Sequence, residues 1–114
     1  MEIRENNKVY IIAPLCSKLD VYSLERVEKE MLNEQREVAL DLSHAQDCTI
    51  EFIEGLKAIA KNKSFGIFNV PSDIFVTFNF MNMDKYVKLF VSELDFEEDT
   101  RQLINRKFKL VDSF

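Results

Sequence analysis

The chain has 114 residues, 46% of them hydrophobic, with 10 Phe but only 2 Gly and 2 Pro, which is the supply for one compact domain, residues 1–114, made of regular elements rather than disordered or low-complexity sequence. A formal charge of −5, with the basic residues scattered among acids, excludes the clustered Lys and Arg that a nucleic-acid binder uses to neutralise phosphates. No apolar run reaches the roughly 20 residues of a membrane span and the amino terminus has no basic-then-apolar signal pattern, so the expectation is a cytoplasmic protein without direct membrane insertion.

In chain order, Glu2 to Glu5 and Val9 to Ala13 read as two strands joined through Asn6-Asn7, a residue type that tolerates positive φ at a hairpin tip. Pro14 stops the second. From Asp20 the period changes: Val21, Leu24, Val27 and Met31 recur at helical spacing, predicting an amphipathic helix that ends near Asn33. Glu37 to Leu42 is nearly continuous in Val, Ala and Leu and suits a central strand covered on both faces. Asp47 is the expected cap of the next helix, whose apolar stripe is Phe52, Ile53, Leu56, Ile59 and Ala60. Phe65 to Val70 reads as a strand, Pro71-Ser72-Asp73 as a break and cap, and Ile74 to Met83 as a helix. Val87 to Val91 is a final strand and Glu97 to Lys107 a terminal helix, with Phe108 to Val111 extending it or forming an edge strand. Alternation of this kind predicts an α/β fold with parallel pairing and right-handed crossovers.

The stretch Val38 to Leu56 carries the most information. A strand ends in Asp41-Leu42-Ser43, passes through a short polar loop and enters the amphipathic helix. This resembles the central signature of STAS domains, the anti-sigma-factor antagonists of bacteria, in which a strand ending in Asp-Leu-Ser leads to an Asp-Ser-Ser-Gly-Leu helix start and a kinase phosphorylates one serine. The resemblance implies a single-domain STAS-like fold: a mixed, mostly parallel sheet of about five strands with helices mainly on one face. With Asp41, Ser43, Ile53 and Leu56 in register, Thr49 stands where the family has its aspartate. Ile50 then occupies the phosphoacceptor position, and Ile has no hydroxyl. The function implied is protein binding without catalysis: a regulator of transcription that contacts an anti-sigma factor or related serine kinase through Ser43, His44, Asp47, Cys48, Thr49, Ile50 and Glu51, with the usual phosphorylation switch lost. Thr49 and Ser43 are the alternative phosphoacceptors, and Asp41 is the acid that organises the site. An accessory subunit of a membrane transport complex, docking on an ATPase through the same helix, fits the missing serine too.

Each site residue also has a plainer reading. Asp41 at the end of a buried strand needs hydrogen-bond donors wherever it serves. Ile50, three positions before Ile53, reads equally as core or as an exposed contact. A different class of function, a small-ligand carrier or enzyme, would use Asp41, Ser43 and His44, but near-adjacent residues in one turn rarely form a nucleophile relay with an oxyanion hole. Only Gly55 and Gly66 are present, and neither sits in a phosphate-loop pattern. Cys16 and Cys48 lack metal-ligand spacing, so neither metal nor other cofactor is expected, and a cytoplasm would keep them reduced. Val76, Phe80 and Met83 read as a leftover apolar face, a second interaction patch suited to a partner groove or a homodimer contact.

Overall fold

The computed structural model describes residues 1–99. Its elements are β1 (Glu2–Glu5), β2 (Val9–Ala13), β3 (Lys18–Leu19), α1 (Val21–Leu32), β4 (Glu37–Asp41), β5 (Asp47–Cys48), α2 (Ile50–Ala60), β6 (Gly66–Phe68), α3 (Ser72–Phe80), a 3-10 turn (Met83–Lys85) and β7 (Lys88–Leu89). Residues 93–99 are again helical. That helix starts earlier than the expected Glu97, and the remainder of the expected helix, with the tail Phe108 to Val111, lies outside the described residues.

Five strands form one sheet in the order β1-β2-β4-β6-β7. β1 runs antiparallel to β2, and every other pairing in that sheet is parallel. The hairpin closes because the Asn6 side-chain oxygen accepts the amides of Lys8 and Val9 at 2.8 and 2.9 Å. Each parallel step needs a crossover, and α1, α2 and α3 supply them in turn.

The period of two along a strand divides the core. Ile12, Val38, Leu40, Leu42 and Ile67 join Val27 and Met31 of α1, Phe52, Ile53, Leu56 and Ile59 of α2, and Ile74 and Phe78 of α3. Val9, Ile11, Ala39 and Phe68 form a smaller cluster with Phe96. Phe96 packs against Phe68 at a tilt and meets Phe90 edge-on, with ring centroids 5.9 and 5.5 Å apart, so the 93–99 helix covers the face that the three crossovers leave. The continuous apolar run of β4 is thereby explained: both of its faces are inside.

The α1–α2 contact is close enough to demand glycine. A Cβ on Gly55 would stand 2.1 Å from Leu24 Cδ2, well inside van der Waals contact. Gly55 costs α2 about 1 kcal/mol of helix propensity relative to Ala, a loss the close packing of Leu24 offsets.

Candidate functional site

The site grows from the carboxyl end of β4. Asp41 is only 4% exposed and is the one buried charged side chain among the described residues. Its Oδ2 accepts from Arg4 Nη2 at 2.8 Å, and its Oδ1 accepts from the Ser43 amide at 3.0 Å and from Asn69 Nδ2 at 3.3 Å. Burial pushes this carboxyl up, but the bonds from Arg4, Ser43 and Asn69 outweigh it and hold the group below its ordinary value of 3.8. Arg4 comes from the edge strand β1 and also pairs with Glu2 at 2.7 Å and with Glu93. Asn69 follows β6 with φ of 55°, a left-handed conformation Asn accepts more readily than most residues. One carboxylate therefore ties the ends of β1, β4 and β6 to the loop that leaves β4.

Beyond Asp41 the loop is pinned through its backbone. The Leu42 amide donates to Phe68 O at 3.2 Å and the Ala45 amide to Leu42 O at 3.1 Å. Leu42 and Ala45 are buried, which turns Ser43 and His44 outward. The Gln46 and Asp47 amides both donate to Ser17 O, at 2.7 and 3.0 Å, and the Thr49 amide to Leu19 O at 2.9 Å. These bonds accompany a second, two-stranded parallel pair in which Lys18 faces Asp47 and Leu19 faces Cys48. Sequence reasoning missed both strands, because two residues have no periodicity; the apolar Leu19 between Lys18 and Asp20 was the one available signal.

That pair also moves the cap. Asp47 was the expected cap of α2, but β3 holds Asp47 and Cys48 extended, and the helix begins only after Thr49. Thr49 Oγ1 accepts the Phe52 amide at 3.2 Å, while the Asp47 carboxylate stays exposed and takes the Cys48 amide at 2.8 Å. Cys48 is half-buried, and burial followed by the charge of Asp47 pushes its thiol up to about 12. It is a neutral thiol at pH 7.

Ile50, the first residue of α2, is 62% exposed, whereas Ile53 is fully buried. The core reading of Ile50 fails on geometry: at 3.6 residues per turn, Ile50 lies about 130° around the helix from the middle of the stripe Phe52, Ile53, Leu56 and Ile59. An apolar residue thus stands in water in a segment whose Ser43, His44, Asp47 and Glu51 are exposed as well. The seven residues from Ser43 to Glu51 singled out in the sequence run from the turn after β4 through β5 into the first turn of α2, with Cys48 and Thr49 half-buried and the other five exposed.

No hydrogen bond among the described residues links His44 to Asp41 or to Ser43, so the acid, hydroxyl and imidazole are not assembled into a relay. The second patch needs revision as well. Val76 and Phe80 are 67% and 88% exposed, but Met83 is fully buried. Asn82, at φ 59°, turns the chain after α3 and carries Met83 off the helix face and into the core. The α3 patch is therefore Val76 and Phe80, with Phe75 partly exposed beside them.

No protein-family model matches the chain, and no curated protein matches it. Solved structures do. The crystal structure of TM1081 from Thermotoga maritima, provisionally classed as an anti-sigma factor antagonist, is similar with a TM-score of 0.73 and 17% identity, over 88% of this chain and 93% of that one. The solution structure of TM1081 gives 0.72 and 18%, over 87% of this chain and 86% of that one. At such identities the likeness establishes the fold, and the fold is the STAS-like architecture expected from Val38 to Leu56.

Proposed function

We propose that this chain is a regulatory module that works by binding another protein, in the manner of an anti-sigma factor antagonist, and that its partner is an anti-sigma factor or related serine kinase. The observation that supports it most is Ile50: an apolar side chain, 62% exposed, at the start of a helix that follows a loop held by the backbone bonds of Leu42, Ala45, Gln46, Asp47 and Thr49. A large aliphatic group in water is ordinary on its own. Here it is mounted on a rigid element among exposed polar groups, the form of a contact point with a polar rim.

The same residue argues against the serine switch. Phosphate adds about −1.5 to −2 charge at a hydroxyl, and Ile50 offers none. Thr49 uses its hydroxyl oxygen to cap α2, and Ser43, though exposed, engages Asp41 through both its amide and its side chain. The reading is therefore a constitutive binder in the cytoplasm. No helix among the described residues is long and apolar enough to cross a membrane.

The test is affinity capture from the native cell on immobilised wild type and Ile50→Asp. Retention of a serine-kinase-like anti-sigma factor by the wild type alone is the expected outcome. Retention of a transport ATPase instead would replace this reading with that of an accessory subunit, and equal retention by both baits would remove Ile50 from the interface. Stoichiometric phosphate at Thr49 or Ser43, found by mass spectrometry after incubation with the captured kinase, would overturn the constitutive-binder reading.

A further inference from the structure

On the α1 side of the β3–β5 pair lies a cleft of about 390 Å³ that nothing in the partner-binding reading uses. Its volume falls within the range of small-molecule sites, roughly 300–1,000 Å³. Lys18 and Arg26 both line it; neither is in a salt bridge or hydrogen bond among the described residues, and Lys18 acts on Asp20 through its charge without direct contact. In a chain of net charge −5, two cations against the single acid Asp20 give the lining of this concavity a local positive excess. The acid in the wall, Asp20, offsets them only in part: its Oδ1 takes the amides of Tyr22 and Ser23, at 3.0 and 3.1 Å, as the cap of α1, and the bond from Ser23, with the nearby charge of Lys18, holds its carboxyl below the ordinary value. Pro14, Leu15 and Tyr22 supply apolar wall beside the polar Ser23, and Tyr22 is 74% exposed with an aromatic face available for stacking.

We propose that this cleft binds a small organic anion, a phosphate or carboxylate head on an apolar or aromatic body. Lys18 and Arg26 hold the head through charge-assisted hydrogen bonds, and Leu15 and Tyr22 cover the body. The two parts of the ligand match two parts of the cleft: an inorganic anion lacks the body, and a neutral aromatic lacks the head. The site does not rest on the partner-binding reading.

Cys16 reports occupancy. It lines the cleft and is exposed, whereas Cys48 is half-buried with its thiol pushed up to about 12, so alkylation by neutral iodoacetamide is resolved at Cys16 by peptide mass spectrometry. Phenyl phosphate and benzoate are titrated against the rate of Cys16 alkylation, with inorganic phosphate and benzyl alcohol as single-part probes at the same ionic strength. The expected result is saturable protection by phenyl phosphate, by benzoate or by both, which identifies the preferred head. Protection by either single-part probe should need about tenfold more compound, since benzyl alcohol forfeits the charge-assisted contacts and inorganic phosphate forfeits the burial of an apolar body. The double variant Lys18→Gln/Arg26→Gln changes two exposed side chains, and in it protection by the same aromatic anion should fall at least about tenfold. Amide chemical shifts of the wild-type chain provide a second readout, expected to move at residues 14–18 and 22–26. Absence of saturable protection and shifts with both aromatic anions, or undiminished protection in the folded double variant, would overturn the proposal.

Discussion

Asp41 and Ile50 stand on either side of one loop and break the ordinary burial rule in opposite directions. The acid is inside and the aliphatic residue is outside. The inward acid is satisfied: three donors from three different parts of the chain reach it, and its work is to hold the loop. The outward Ile has no comparable duty to the fold, since it lies off the apolar stripe of α2. A buried polar group and an exposed apolar one are both informative, but they inform about different things. The first identifies what builds the platform and the second what the platform presents.

Breaking the platform should have the largest effect on stability. Asp41→Ala removes an acceptor shared by Arg4, Ser43 and Asn69, and is expected to lower the unfolding free energy by about 2–4 kcal/mol, read from denaturant midpoints. The pH dependence sharpens the point. Because the folded carboxyl sits below its ordinary value of 3.8, the unfolded chain binds the proton first as pH falls. Its contribution is therefore fully present above that value and is lost as pH drops through the folded value beneath it. Asp41→Asn should flatten this acid-side loss; an unchanged acid profile would mean that other carboxylates carry it.

A middle-sized effect is expected where the platform is braced. Gly55→Ala gains about 1 kcal/mol of helix propensity but drives a methyl group into Leu24, and overpacking costs about 1–3 kcal/mol. Net destabilisation is expected, with partial recovery when Leu24→Ala is added. A double-mutant cycle measures that coupling directly, and purely additive effects would show that Leu24 swings aside without cost.

Much of this comparison is legible in the sequence. The unbroken apolar run of β4, the Asn-Asn hairpin and the 3.6-residue period of α1 and α2 fix the element order, and Asp41-Leu42-Ser43 leads to the STAS-like fold. What escapes is set by contacts between distant segments. β3 and β5 exist because Lys18 and Leu19 meet Asp47 and Cys48, and that meeting passes the capping role from Asp47 to Thr49, both residue types being good caps. Met83 leaves its expected patch because Asn82 turns left-handed, which local spacing does not reveal. Ile50 sits in the helix's first turn, where a spacing of three from Ile53 left core and contact readings equally open, and only its angle to the whole stripe separates them.

The smallest effect on the fold should come with the largest effect on binding. In Ile50→Asp, a carboxylate replaces an exposed side chain next to the free amides of a helix start, where a negative charge is favoured by about 0.3–1 kcal/mol. Pressed against a partner, the same charge is unpaired and costs several kcal/mol. The most direct measurement is the pair of numbers for wild type and Ile50→Asp: the dissociation constant for the captured partner and the unfolding midpoint. The account predicts a midpoint unchanged or slightly raised together with a dissociation constant at least about a hundredfold weaker. A midpoint that falls in step with binding would make Ile50 part of the platform after all, and unchanged binding would place the contact surface elsewhere.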